Sequence, residues 1–159
     1  MSRTAPKLVD TGESARQQLL AGLDVADQTV DLAGIPTAVL ETGQGPPLVL
    51  LHGPGEFKER WAQVIPGLSR THRVIAPDFP GHGRSGTHPD GLDADRVFGW
   101  IDALLDKRCR ERAVLVGHIL GGSVAARFAT ARPDRLERLV LVDSLGLARF
   151  RPNPRVALA

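Results

Sequence analysis

Three histidines of this chain stand just past short apolar runs, each inside a segment rich in glycine. Residues 48–51 lead into His52-Gly53-Pro54-Gly55. Residues 73–76 lead into Pro77-Asp78-Phe79-Pro80-Gly81-His82-Gly83-Arg84-Ser85-Gly86. Residues 113–116 lead into Gly117-His118-Ile119-Leu120-Gly121-Gly122-Ser123. An imidazole at such a break can act as a general base, provided that what it deprotonates lies within hydrogen-bond reach. It can also bind a metal, but His52, His82 and His118 lack the spacing of a ligand set, so no metal or cofactor is expected. Asp143 closes a further apolar run and offers a carboxylate. The nearest hydroxyl after Ile119 is Ser123, about 6 Å further along a helix, where it is expected to pack against the strand. Cys109 is the single cysteine. Arginines on both sides could lower its pKa, but no local signature surrounds it, and an incidental thiol is expected.

These segments need elements to hold them. Apolar residues at Ala15, Leu19, Leu20, Leu23 and Ala26 have helical spacing over residues 13–26, with Gly22 as a weak point. Residues 28–33 and 37–41 alternate around Gly34-Ile35-Pro36, which predicts a hairpin. Residues 48–51 are continuously apolar, as in a strand buried on both faces. Phe57, Trp61, Val64 and Ile65 predict a helix over 56–68 that Pro66 closes. Residues 73–76 form the next buried strand. A helix over 92–107 follows, with Asp93 as N-cap. Residues 113–116 are a strand, 123–131 a helix ended by Pro133, and 138–143 the last strand. A hairpin followed by β-α-β-α-β-α-β predicts an α/β fold, a mostly parallel sheet with helices on both faces. Ligands in such sheets sit beyond the carboxyl ends of the strands, so the loops after Leu51, Ala76, Val116 and Val142 should line one edge.

On these three segments the chain resembles the α/β-hydrolase family. His52-Gly53-Pro54-Gly55 is similar to that family's His-Gly oxyanion loop. Asp78 to Ser85 is similar to its D-x-P-G-H-G-x-S segment. Gly117-His118-Ile119-Leu120-Gly121 stands where the family has its G-x-S-x-G elbow, a strained turn that lifts a serine nucleophile above the sheet. The resemblance runs from about Gln28 to Gly146 and implies a truncated fold holding the first six strands. It also implies hydrolysis of an ester, epoxide or carbon–carbon bond of a small apolar substrate. The nucleophile's position holds Ile119, which cannot attack anything. Triad order in the family is Ser, then Asp or Glu, then His, yet every histidine here precedes Ile119. Asp143 matches the place where some relatives carry the triad acid, without a histidine to orient. The oxyanion donors implied are the N–H of Leu120 and one from Gly53 or Gly55, since Pro54 has no N–H. His52, Asp78, Gly81, His82, Gly83, Ser85, Gly117, His118 and Gly121 are expected to shape loops rather than react. Losing one triad member typically costs on the order of 10⁴–10⁶ in turnover. A β-branched residue at the elbow is disfavoured besides, so the turn is expected to relax.

The 159 residues suffice for one domain with a core. They divide into a polar arm and candidate helix (1–27), the core (28–146) and a loop-like tail (147–159). Hydrophobic residues at 42% and charged residues at 24% fit an ordinary globular protein. Lys and Arg number 20 against 18 Asp and Glu. The basic residues are scattered among acids, as in Arg132-Pro-Asp-Arg-Leu-Glu-Arg138, which argues against nucleic-acid binding. No run reaches a membrane span, the N-terminus lacks a signal-peptide core, and one cysteine fits a reducing compartment, so the cytoplasm is expected. Three readings follow: an inactive hydrolase relative, a binding module that forms homo-oligomers through an exposed sheet edge, and a fragment of a longer hydrolase.

Overall fold

The structure, a computed structural model, describes residues 11–146. Of the N-terminal stretch expected to be frayed, residues 1 to about 12, the first ten lie outside the described residues, as does the tail (147–159). Helix α1 (Thr11–Leu20) precedes the hairpin strands β1 (Ala26–Leu32) and β2 (Ile35–Thr42), then β3 (Pro47–Leu51). A 3₁₀ turn (Lys58–Trp61) and a single helical turn, α2 (Ile65–Leu68), lead to β4 (Arg73–Pro77). Helix α3 (Ala94–Arg108), β5 (Ala113–His118), α4 (Leu120–Ala131) and β6 (Leu136–Val142) follow within the described residues. The six strands form one sheet in the order β1-β2-β4-β3-β5-β6. β1 and β2 are antiparallel to each other, β2 is antiparallel to β4, and the other pairs are parallel.

Sequence explains most of these boundaries. The hairpin turns at Ala33 and Gly34, both at positive φ, as a two-residue connection between twisted strands requires. Strand β3 sits centrally and all five of its residues are buried, which accounts for its unbroken apolar run. Helix α3 starts after Asp93, whose carboxylate accepts the Arg96 N–H at 2.8 Å, the expected N-cap bond.

The sheet separates two apolar layers. On one face Trp100, Ile101 and Leu104 of α3 and Ala125 and Phe128 of α4 pack on Val39, Val49, Leu51, Ile75 and Leu115. The Trp100 indole donates to Thr37 Oγ1 at 2.9 Å, so its one polar atom is satisfied in the core. On the other face Ile65, Trp61 and Leu68 cover Leu40, Leu48, Leu50, Val74 and Ala76. That cover stops short of β6, where Val140 and Val142 remain 43% and 41% exposed.

Three expectations need correction. The helix expected over 13–26 ends at Leu20, because Gly22 turns the chain at φ +80° and Ala26 already belongs to β1. The helix expected over 56–68 is instead a 3₁₀ turn and a separate α2. Phe57 is extended (φ −148°, ψ 167°), and the backbone then turns in 3₁₀ fashion, with Arg60 N–H on Phe57 O and Ala62 N–H on Glu59 O, while the Lys58 N–H is held by Asp78 Oδ1 at 2.6 Å. Pro66 therefore opens α2 rather than ending a helix, in the first-turn position where its missing N–H costs nothing. Finally, α4 begins at Leu120 rather than Ser123, since Ile119 O already accepts the Ser123 N–H.

Candidate functional site

The loops after β3, β4, β5 and β6 meet at one edge of the sheet, and the turn after β5 is the tightest of them. Gly117, the last residue but one of β5, lies where any Cβ would overlap the backbone of Gly121 and Gly122. A Cβ on Gly121 would collide with the carbonyls of Leu51 and His52, and one on Gly122 with Ser144. These glycines let α4 start against the sheet with no side chain between.

Ile119 sits at the apex with φ 50° and ψ −106°. The expectation of a relaxed turn is corrected: the strained backbone persists with a β-branched residue in it. Such a conformation costs on the order of 1–3 kcal/mol and lasts only where its surroundings over-determine it. Here Ile119 N–H donates to Val142 O at 3.0 Å, and Ile119 O accepts from Ser123 N at 3.1 Å and Leu145 N at 3.4 Å.

The loop after β4 is braced from within. Asp78 is fully buried and accepts backbone N–H groups of Lys58 at 2.6 Å and Arg84 at 2.9 Å. Its carboxylate fills the space that a Cβ on Gly83 would need. Ser85 Oγ donates to Asp78 O at 2.9 Å and accepts from Ala38 N–H at 3.0 Å. Gly81 N–H closes the loop onto Gly86 O, and His82 Nδ1 donates to Pro80 O at 3.2 Å.

His52 is buried with both ring nitrogens engaged. Nδ1 donates to Gly53 O at 2.8 Å, and Nε2 accepts the Phe79 N–H at 3.0 Å, which sets the tautomer. Burial holds its pKa below the usual imidazole range despite Asp78 nearby. A neutral ring with no free lone pair joins two loops and cannot take a proton from a substrate.

Residues the sequence did not single out complete the edge. Glu56 turns back so that Oε2 accepts the Gly53 N–H at 2.8 Å and His118 Nδ1–H at 3.0 Å, while Oε1 pairs with Arg60 Nε at 2.9 Å. Gly53 is thereby removed from the oxyanion donors expected above. Gly55 and Leu120 are left, the latter in the first turn of α4, where N–H groups have no intrahelical partner. Burial alone would raise the Glu56 pKa, but the Gly53 and His118 hydrogen bonds and the Arg60 charge outweigh it and hold it low. Lys58, fully buried, reaches Glu59 Oε1 at 2.6 Å and lies 3.6 Å from both Asp27 and Asp78. Nothing local marks a buried lysine, because beyond its neighbour Glu59 its partners come from β1 and the β4 loop. For Glu56 the only local signal is its spacing of four from Arg60.

The other candidates do not assemble into a catalytic set. Ser123 Oγ donates to Leu145 O at 2.5 Å and has no base beside it among the described residues. Asp143 is exposed at φ 50°. The histidine–carboxylate pairs among the described residues are His52–Asp78, His88–Asp90 and His118–Glu56, none of which includes it. Burial pushes the Cys109 thiol up to about 11, overriding the arginines near it. Among the described residues no cluster of three or more metal-ligating side chains occurs. No helix among them is long and apolar enough to cross a membrane. A hollow of about 410 Å³ lies beside the elbow, lined by Leu120, Val124, Ala126, Thr130 and Leu145 among others.

Comparison with known proteins agrees with this geometry. A family model described as the alpha/beta hydrolase fold matches residues 46–157. The 2-hydroxymuconate semialdehyde hydrolase of Pseudomonas sp. strain CF600 is 39% identical over 122 residues, which cover 73% of this chain and 42% of that protein. The 2-hydroxy-6-oxo-2,4-heptadienoate hydrolase of Pseudomonas putida is 40% identical over 121 residues, covering 72% and 43%. Among solved structures, an epoxide hydrolase from Vigna radiata superimposes with a TM-score of 0.73 at 30% identity, over 83% of this chain and 41% of that one. A variant of the meta-cleavage product hydrolase CumD gives 0.72 at 33%, over 77% and 46%. The chain thus spans less than half the length of these relatives.

Proposed function

This chain belongs to the α/β-hydrolase fold family, and from that premise we propose that it is a hydrolase relative without hydrolytic turnover of its own. The observation that carries the reading is Ile119. The elbow keeps the positive φ and the close glycine packing that a nucleophile would need, and the side chain placed there has no lone pair. The buried, fully bonded His52 and the unaccompanied Asp143 support the same reading, because neither could serve a nucleophile. An active counterpart would cleave an ester, epoxide or carbon–carbon bond of a small apolar substrate, as the family resemblance implies; the similar proteins are named hydrolases, one of them an epoxide hydrolase. The test is a fluorophosphonate probe on the purified chain. No labelling is expected, and labelling that maps to Ser123 would overturn the proposal.

A second reading, a module that associates through its sheet edge, is favoured by β6. That strand is unpaired on its outer side among the described residues and exposes Val140 and Val142. An unpaired edge strand of this kind can pair with another strand. A second copy of the chain, joined edge to edge about a two-fold axis, would satisfy both the backbone groups and the valines. A cytoplasmic setting suits both readings.

A further inference from the structure

Three hydrogen-bond donors converge on one carboxylate beside the elbow, and each comes from a different place in the chain. Gly53 contributes a backbone N–H from the loop after β3, His118 an imidazole N–H from the end of β5, and Arg60 a guanidinium from the 3₁₀ turn. Backbone amide, imidazole and guanidinium are the groups that recognise a carboxylate in general, since all donate and none competes as an anion. The inner two are sheltered: the His118 side chain is 12% exposed and lies edge-on to the Trp61 ring. Arg60 closes the outer side from the rim, 54% exposed.

The occupant of this arrangement is the protein's own Glu56. Its side chain leaves no room beside Gly53, where an added Cβ would lie 2.9 Å from Oε2. The carboxylate is also bound on both oxygens, Oε1 to Arg60 and Oε2 to the other two donors. It therefore behaves as an internal ligand, ionised more readily than a free glutamate because of these donors.

We infer that Gly53, Arg60 and His118 form a binding site for small monocarboxylates at the elbow, closed in this chain by the Glu56 side chain. The inference stands on the donor geometry and does not depend on whether the chain is catalytically silent. Truncating Glu56 at Cβ deletes two carbons and two oxygens, the heavy atoms of acetate. A free acetate ion would restore the same three bonds, at the cost of its own immobilisation.

The experiment uses the full chain carrying Glu56→Ala, titrated with sodium acetate against sodium chloride at equal ionic strength and neutral pH. The His118 ring resonances, assigned by their loss in a Glu56→Ala/His118→Ala chain, are followed by NMR. Saturable movement in acetate, absent in chloride and absent from the unsubstituted chain, is the expected result. A response equal in the two salts, an equal response in the unsubstituted chain, or no response would overturn the site. Should Glu56→Ala not fold in chloride, refolding in acetate supports the proposal and failure in both salts overturns it.

Discussion

The backbone N–H of Ile119 donates to the carbonyl of Val142 at 3.0 Å, tying the apex of the elbow to the last residue of the edge strand. The sheet edge thus holds the strained turn in place although its side chain has nothing to present. A residue without Cβ takes φ 50° without the clash that isoleucine suffers. Ile119→Gly is therefore expected to stabilise the protein by about 1 kcal/mol, relief of strain outweighing the lost half-buried side chain and the greater freedom of the unfolded chain. Urea unfolding followed by circular dichroism measures it, and a clear loss of stability would show that the turn is not strained.

Restoring the missing atom should not restore the chemistry. A serine at position 119 needs a general base within about 3 Å, and His118 is turned onto Glu56 while His52 is buried and fully bonded. Ile119→Ser is expected to hydrolyse p-nitrophenyl acetate no faster than the parent chain. Turnover that rises with the substitution would place a base where none is evident.

What was legible in sequence divides along local and remote causes. The strands were readable because each carries its burial in its own pattern, as β3 does with five consecutive buried residues. The three loops at the sheet edge were readable because glycine spacing reports close backbone approach, which Gly117, Gly121 and Gly83 display. The helix expected over 56–68 failed because its apolar stripe was real while its backbone is extended at Phe57, turns as 3₁₀ over 58–61 and restarts as α2 with Pro66 in the first turn. Glu56 and Lys58 escaped because their remote partners, His118 for one, Asp27 and Asp78 for the other, are set by topology.

Lys58 offers the largest stability effect. Its ammonium lies against Glu59, Asp27 and Asp78 with no exposure to solvent. Removing one partner of a buried ionic group leaves the others uncompensated, at a cost of about 3–5 kcal/mol. Lys58→Met is expected to lose that much in urea unfolding. A loss under about 1 kcal/mol would mean that the carboxylates are solvated or neutral without it.

If β6 is an interaction edge, a charge on its uncovered face should abolish association. Val140 lies next to the middle of that strand and is well exposed, so a lysine there fits the monomer and repels its symmetry mate. Sedimentation velocity at rising concentration should show the parent chain as a dimer or larger and Val140→Lys as a monomer. A parent chain that stays monomeric throughout removes the edge-pairing reading.

Acid should unfold the protein through two separable groups. The His52 pKa is depressed in the fold, chiefly by burial, so the unfolded chain binds a proton that the folded chain refuses. Its contribution is complete above the unfolded value of 6.5 and is lost as pH falls below it, at up to about 1.4 kcal/mol per pH unit. Glu56 is depressed as well, from 4.5, because the Gly53 and His118 bonds and Arg60 outweigh its desolvation. Its share is present above 4.5 and disappears as pH falls through the lower folded value. Stability measured by urea midpoints should therefore begin to fall near pH 6.5 and steepen below about 4.5. His52→Gln, whose amide can accept the Phe79 N–H without titrating, should flatten the first limb and leave the second. A first limb unchanged by that substitution would assign the proton uptake to another histidine.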